Sequence, residues 1–427
     1  MKLKLKRMGN QGGIMLVSVI VLALLLGVYL GGYMYWVYTE NRLVAESQAW
    51  NAALANAEAG VEEGMAQINV TFGTNYYPSI RTNWANPAVG VYGPRSNTLS
   101  SGSYNVVITT TSACPTIIST GYAIVPIIGR QIVRTVQVTT TNASGFGNAM
   151  ASQLNIDLKG NNILIDSYDS SDPLHSTNGM YYFPTRKAGG DVTSVNGFVN
   201  VNNADINGKL YTGPTGGSSV GANGYVGDLS WTGPGIEPGW WSSDFNVDMK
   251  PVQLPDTSSW IPATGVGTNA YLLTSGGYVL NGDLSLKTGD TLFVAGFASL
   301  YVSGNVNMQG QSQVIIAPGA QLKLYVGGAS ASFTTVNTTG NAFSFQYYGL
   351  PSNTSLTWGG NATYVGTVYA PSASFNCGGG GSTAYDYQGS CVVNSVYFNG
   401  HFNFHFDENL KRSGPPTGFN VTSWQEL

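Results

Sequence analysis

At 427 residues the chain is long enough for two or three domains. With 43% hydrophobic residues it is not a disordered polymer. Only 9% of residues are charged and the net charge is −4, which excludes a broad nucleic-acid surface. The 56 glycines and 25 tyrosines stand among many Asn, Ser, Thr and Val, a composition of short strands joined by turns.

The first seventy residues carry the strongest pattern. Lys2, Lys4, Lys6 and Arg7 form a basic head without an acid. Ile14 to Tyr38 follows without a charge. As a helix it would span about 37 Å, enough to cross about 30 Å of hydrocarbon with some tilt. Tyr33, Tyr35, Trp36 and Tyr38 crowd its far end as an aromatic belt would, and the basic head places the remaining chain outside the cytoplasm. A cleaved secretory signal is the competing reading; its apolar core is shorter and ends in small residues. Here the run flows into further helix. Leu43, Trp50, Leu54, Ala57, Val61, Met65 and Ile68 step by three, four or seven along one stripe, with Glu40, Glu46, Glu58, Glu62 and Glu63 mostly elsewhere. Gly27 and Gly31 are four apart, a spacing that permits close helix approach.

The stretch Gln11-Gly-Gly-Ile-Met-Leu-Val-Ser-Val-Ile-Val after a basic head resembles a type IV prepilin leader, closest to the PilX-like minor pilins. The run Asn51-Ala-Ala-Leu-Ala-Asn-Ala-Glu-Ala-Gly-Val-Glu is similar to their helix. The resemblance implies cleavage by a prepilin peptidase after Gly13, with Gly12 as the second choice, and Ile14 as the new N-terminus. It implies an inner-membrane precursor that leaves the bilayer to join other copies or other pilins in a cell-surface filament. One departure stands against it. Major pilins carry Glu five residues after the cut, and here that position is Ser18. A minor-pilin role and an uncleaved anchor both stay open.

Tyr104–Ile108, Ile117–Ala123 and Gln131–Thr140 read as strands, with Pro126 and Gly129 in the turn before the third. An antiparallel sheet laid on the amphipathic half of the helix would give both apolar faces a partner. Ile118-Ser-Thr-Gly and the following Arg130 and Arg134 look like pilin sheets.

Beyond a flexible stretch at Gly145–Ala149, short strand-like pieces begin near Tyr278, Leu284, Thr291, Ser299, Val306, Gln313 and Gln321. A spacing of six to eight residues favours a parallel β-helix with about three strands per coil over a β-sandwich. The signal returns at Tyr364–Phe375 and Cys391–Phe406 and is less regular from Gly145 to Thr268. Ile165-Asp-Ser-Tyr-Asp-Ser-Ser-Asp-Pro, Tyr369-Ala-Pro and His405-Phe-Asp-Glu-Asn-Leu resemble an envelope domain found behind PilX-like N-termini, with Phe406 in place of its usual tyrosine. The expected fold is therefore mainly β with one long N-terminal α-helix: a small antiparallel pilin-like sheet, then a β-solenoid. The expected segments are a leader at 1–13, a helix at 14–68, a pilin-like β domain at 69–148, a solenoid at 149–413 and a tail at 414–427.

Chemistry-bearing residues are sparse. Asp166, Asp169 and Asp172, three apart in a Ser-rich loop, could hold Ca²⁺, yet their spacing is not that of an EF-hand; the other reading is a turn capping its own backbone. His401 and His405 are four apart near Asp407, but the alternation His-Phe-Asn-Phe-His-Phe-Asp reads as a strand with a solvated polar face. Cys377 and Cys391 could close a disulfide in an exported domain, leaving Cys114 over; the alternative is buried free thiols. Asn337, Asn353 and Asn361 begin Asn-x-Ser/Thr triplets that such a composition produces by chance. No Gly-x-Ser-x-Gly, His-Glu-x-x-His or phosphate loop occurs. The reading is a structural subunit without catalytic residues or cofactor, with surface adhesion as an expected role. The alternative is a membrane-anchored β-helix that binds or cleaves polysaccharide.

Overall fold

A computed structural model describes residues 11–70, 84–110, 114–126, 128–160, 163–265, 270–337, 340–359, 363–379, 383–413 and 416–427. The basic head Lys2–Arg7 and the triplet at Asn361 lie outside the described residues. The chain forms two compact units, one of Met1–Thr141 with Phe419–Leu427, the other of Asn142–Gly418. The first therefore takes up the end of the chain. Pro416–Glu426, expected as a tail, is the fifth strand of its sheet.

The first unit opens with α1 (Gln11–Val70), 60 residues without interruption. No proline breaks it, and Ala-rich sequence carries its second half. Four strands follow: β1 (Val91–Leu99), β2 (Gly102–Thr109), β3 (Thr116–Ile124) and β4 (Gln131–Ser144). They pair antiparallel in chain order, and Pro416–Glu426 lies beside β4. Alternation buries Tyr104, Val106 and Ile108 of β2, Ile117 of β3, and Val136 and Val138 of β4 on the face that meets the helix. β1 has no such alternation and was not legible as a strand. The last strand is tied to the end of the helix, where Phe419 N–H donates to Asn69 Oδ1 at 2.7 Å.

The second unit is built differently: its strand pairings are parallel and stack coil on coil. Three faces repeat. On face A, Tyr278, Leu300, Leu324, Tyr347, Val368, Cys391, Met150, Val192 and Leu210 stand in register, each opposite the next. Face B carries Leu284, Val306, Ala331, Leu356, Phe375, Val396, Ile156 and Val199. Face C carries Leu292, Val314, Val336, Tyr364, Tyr387, Phe404, Ile165, Ile206 and Val226. All of these are buried and converge on one core. The parallel β-helix expected from strand spacing is thus the observed architecture.

The stack is not wound in chain order. Face C of one coil is the strand Phe402–Asp407, whose next neighbour along the stack is Leu164–Tyr168. The same coil takes its other two faces from Met150–Ser152 and Ile156–Leu158, which pair with Tyr385–Gly400. The coil is therefore composite, built from both ends of the unit. From it the chain winds outward to Trp241–Ser242. It then returns along the outside of face A: Phe245 N–H donates to Thr212 O, Lys250 O accepts from the Tyr369 hydroxyl, and Trp260 packs on Tyr325. A second half-stack winds from Tyr271–Leu273 back to the composite coil. Entry and exit meet there, with Ser144 Oγ donating to Leu410 O at 2.7 Å.

Candidate functional site: the N-terminal helix

α1 has two halves of different chemistry. From Met15 to Tyr38 almost every side chain is exposed, and all are apolar, aromatic, small or hydroxylic. Among the described residues it is the helix long and apolar enough to cross a membrane. A continuous apolar surface of this extent is not stable against water, so this half requires lipid or other helices around it. Gly27 and Gly31 have nothing within 4 Å of where a Cβ would stand, leaving a shallow place on that surface. Gly13 and Ile14 lie in the first turn of α1.

The second half is fixed to the sheet. The first charged pair, Arg42 and Glu46, is a surface contact at 3.1 Å. From there, Ala45, Ala49, Ala53 and Ala57 recur every four residues and are buried, followed by Gly60, Val61, Gly64 and Ile68. This corrects the expected stripe. Leu43 and Trp50 are 55% and 49% exposed, Leu54 and Met65 are half-buried, and only Ala57, Val61 and Ile68 of that set are buried. The cause is the closeness of helix and sheet. A Cβ on Gly60 would come 2.8 Å from Tyr104 Cδ2, and one on Gly64 equally near Ile117 Cγ2. Only small side chains fit between backbones so near, and the large ones are displaced to the flanks. The signal was present as a four-residue repeat of Ala and Gly; reading by side-chain size overlooked it.

Polar pins set the register. Buried Asn56 donates to Tyr122 O at 2.9 Å and accepts from Ser101 Oγ at 2.6 Å. Glu63 accepts from the Tyr104 hydroxyl at 2.6 Å and pairs with Arg95. Burial first, and the Glu63 bond next, push the Tyr104 phenol above its ordinary value. Arg134 lies over the exposed Trp50 ring, 3.2 Å from its centre, and meets Glu426.

The remaining candidates lie in the second unit, and of them the structure brings Asp166 and His405 into contact, 2.5 Å apart. Asp166 accepts from Tyr181, Asp169 from Arg412 and Ser171, and Asp172 from the Leu174 amide. Among the described residues no group of three or more His, Cys, Asp or Glu is arranged to hold a metal ion. Cys377 and Cys391 are buried free thiols, not a disulfide. Cys377 stands between Trp358 and Phe398 on face B, and Cys391 between Val368 and Met150 on face A of the next coil. Burial pushes both thiols well above their ordinary value. The polar side of Phe402–Asp407 is not solvated: His405 and Asp407 are buried, the first beneath the ring of Tyr181.

Residues 255–413 match a family described as a domain of unknown function (DUF7305). No curated protein matches the chain. Among solved structures, the competence-associated pilin ComZ from Thermus thermophilus is similar over 89% of this chain and 97% of its own, at 13% identity and a TM-score of 0.23. A likeness that shallow carries no weight for fold or role.

Proposed function

We propose that the chain is a pilin-like subunit, made as a single-pass membrane precursor and assembled through α1 into a cell-surface filament. The observation that carries this reading is the division of one unbroken helix, with an unpartnered apolar half followed by a half clamped to an antiparallel sheet. Such a helix can exchange lipid for a bundle of like helices without changing its fold. The prepilin-like Gln11-Gly-Gly-Ile-Met-Leu-Val supports cleavage after Gly13. On this reading the protein is not an enzyme. The β-solenoid is displayed cargo, and its surface serves adhesion.

The test is the N-terminal sequence of protein recovered from sheared cell-surface material. A start at Ile14 supports the reading. A membrane-bound chain that begins at Met1 and is absent from the sheared fraction overturns it, and leaves an anchored β-helix that binds or cleaves polysaccharide.

A further inference from the structure

The composite coil is fastened by ionisable side chains. His405 Nδ1 lies 2.5 Å from Asp166 Oδ1, and its Nε2 faces Asp386 Oδ1 at 3.4 Å. Asp166 also accepts from the Tyr181 hydroxyl at 2.7 Å and has Arg186 Nε at 3.8 Å. The Tyr181 ring lies flat on the imidazole, centroids 3.5 Å apart. Alongside, Lys187 pairs with Glu408, and Arg412 donates to Asp169 Oδ1 and Oδ2 at 2.9 and 2.7 Å. Three of these pairs, His405–Asp166, Lys187–Glu408 and Arg412–Asp169, join the start of one half-stack to the end of the other; Arg186–Asp166 and His405–Asp386 do not. In an otherwise charge-poor chain, the charges gather at the seam.

Two carboxylates flank the His405 ring. A neutral imidazole has one donor and one acceptor. Here Nδ1 donates to Asp166, and Nε2, which makes no hydrogen bond among the described residues, has the Asp386 carboxylate 3.4 Å away, so two carboxylates favour the imidazolium. We propose that charged His405 is the latch that closes the two half-stacks into one solenoid, and that its deprotonation loosens the seam. This inference is independent of the filament reading.

The groups that face His405 are accounted for on every element packed against it. Asp166 comes from Leu164–Tyr168, Asp386 from Tyr385–Gly400, Tyr181 and Arg186 from the connection that covers the ring, and Asp407 from its own strand. Burial opposes the charge, but the carboxylates of Asp166 and Asp386 outweigh it, and His405 titrates above its ordinary value. A raised value stabilises the folded state fully below the unfolded value of about 6.5, and that contribution is lost as pH rises through the folded value. On the acid side, burial raises Asp386 but the neighbouring His405 outweighs this, so Asp386 titrates below its ordinary value and stays ionised.

The experiment is amide hydrogen exchange of the full chain in detergent, corrected for intrinsic rates, from about pH 5.5 to about pH 9. Peptides over 164–168 and 402–407 are expected to lose protection with rising pH, about tenfold for each unit by which the histidine is raised. Peptides over 313–326, inside one half-stack, are expected to hold theirs. His405→Gln should leave the seam weakly protected at every pH. The proposal is overturned if the seam tracks 313–326 across the range, or if His405→Gln keeps the wild-type pH dependence. Should the variant not fold, the wild-type comparison of the two regions decides alone.

Discussion

Gly121 of β3 lies so close against Ala53 of α1 that a Cβ on Gly121 would overlap the Ala53 carbonyl oxygen. Backbone oxygen cannot rotate away as a side chain can. Gly121→Ala must therefore push helix and sheet apart, opening the Ala53 and Ala57 contacts. The expected loss is about 2–3 kcal/mol or more, in the range of overpacked cores. Denaturant unfolding of the detergent-solubilised chain, followed by amide hydrogen exchange of the peptides over β2 and β3, reads it.

Leu43 makes the opposite case. It is large, apolar and more than half exposed, so Leu43→Ser should change the stability of the first unit by no more than about 0.5 kcal/mol. If α1 is the assembly surface, the same change should lower the yield of chain in sheared filaments. Unchanged stability with reduced yield separates a packing residue within the subunit from one between subunits.

These two residues show how far the sequence could be read. The helix was legible because Ile14 to Tyr38 lacks charge and no proline falls between there and Val70, and the solenoid because strand starts from Tyr278 to Gln321 recur at short intervals. The buried stripe was not, since a hydrophobic pattern weighs Leu43 and Trp50 above Ala45 and Ala49, while the contact is governed by backbone approach. The composite coil was invisible for another reason. Met150 pairs beside Cys391 across some 240 positions, and no local period records which coil lies next to which. His405 and Asp166 were each singled out, but their partnership depends on that pairing.

Cys377 and Cys391 should behave as separate buried thiols. In the folded protein at about pH 8, a maleimide is expected to leave both unmodified, because burial raises both thiols and shields them. In denaturant without reductant both should label, and peptide mapping should find no crosslink between them. Labelling that requires prior reduction would show that the two thiols are joined and not free as in this structure.

The aromatic column on face C offers a contrast between neighbours. Tyr364 and Tyr387 stack with centroids 4.7 Å apart, and Tyr387 stacks on Phe404 at 4.3 Å. Their hydroxyls differ. The Tyr387 hydroxyl donates to Ser390 O at 3.0 Å, whereas the Tyr364 hydroxyl is buried without a hydrogen-bond partner among the described residues. Burying an unsatisfied hydroxyl costs about 1–3 kcal/mol, and a satisfied one contributes about 1 kcal/mol net. Tyr364→Phe is therefore expected to be neutral or to stabilise the solenoid. Tyr387→Phe is expected to cost about 1 kcal/mol and to leave the Ser390 carbonyl without that donor. Both changes keep the ring, so the stacks are untouched and the difference between the two midpoints isolates the hydroxyls. Equal midpoints for the two variants would show that the Tyr364 hydroxyl finds a partner in solution, such as a buried water.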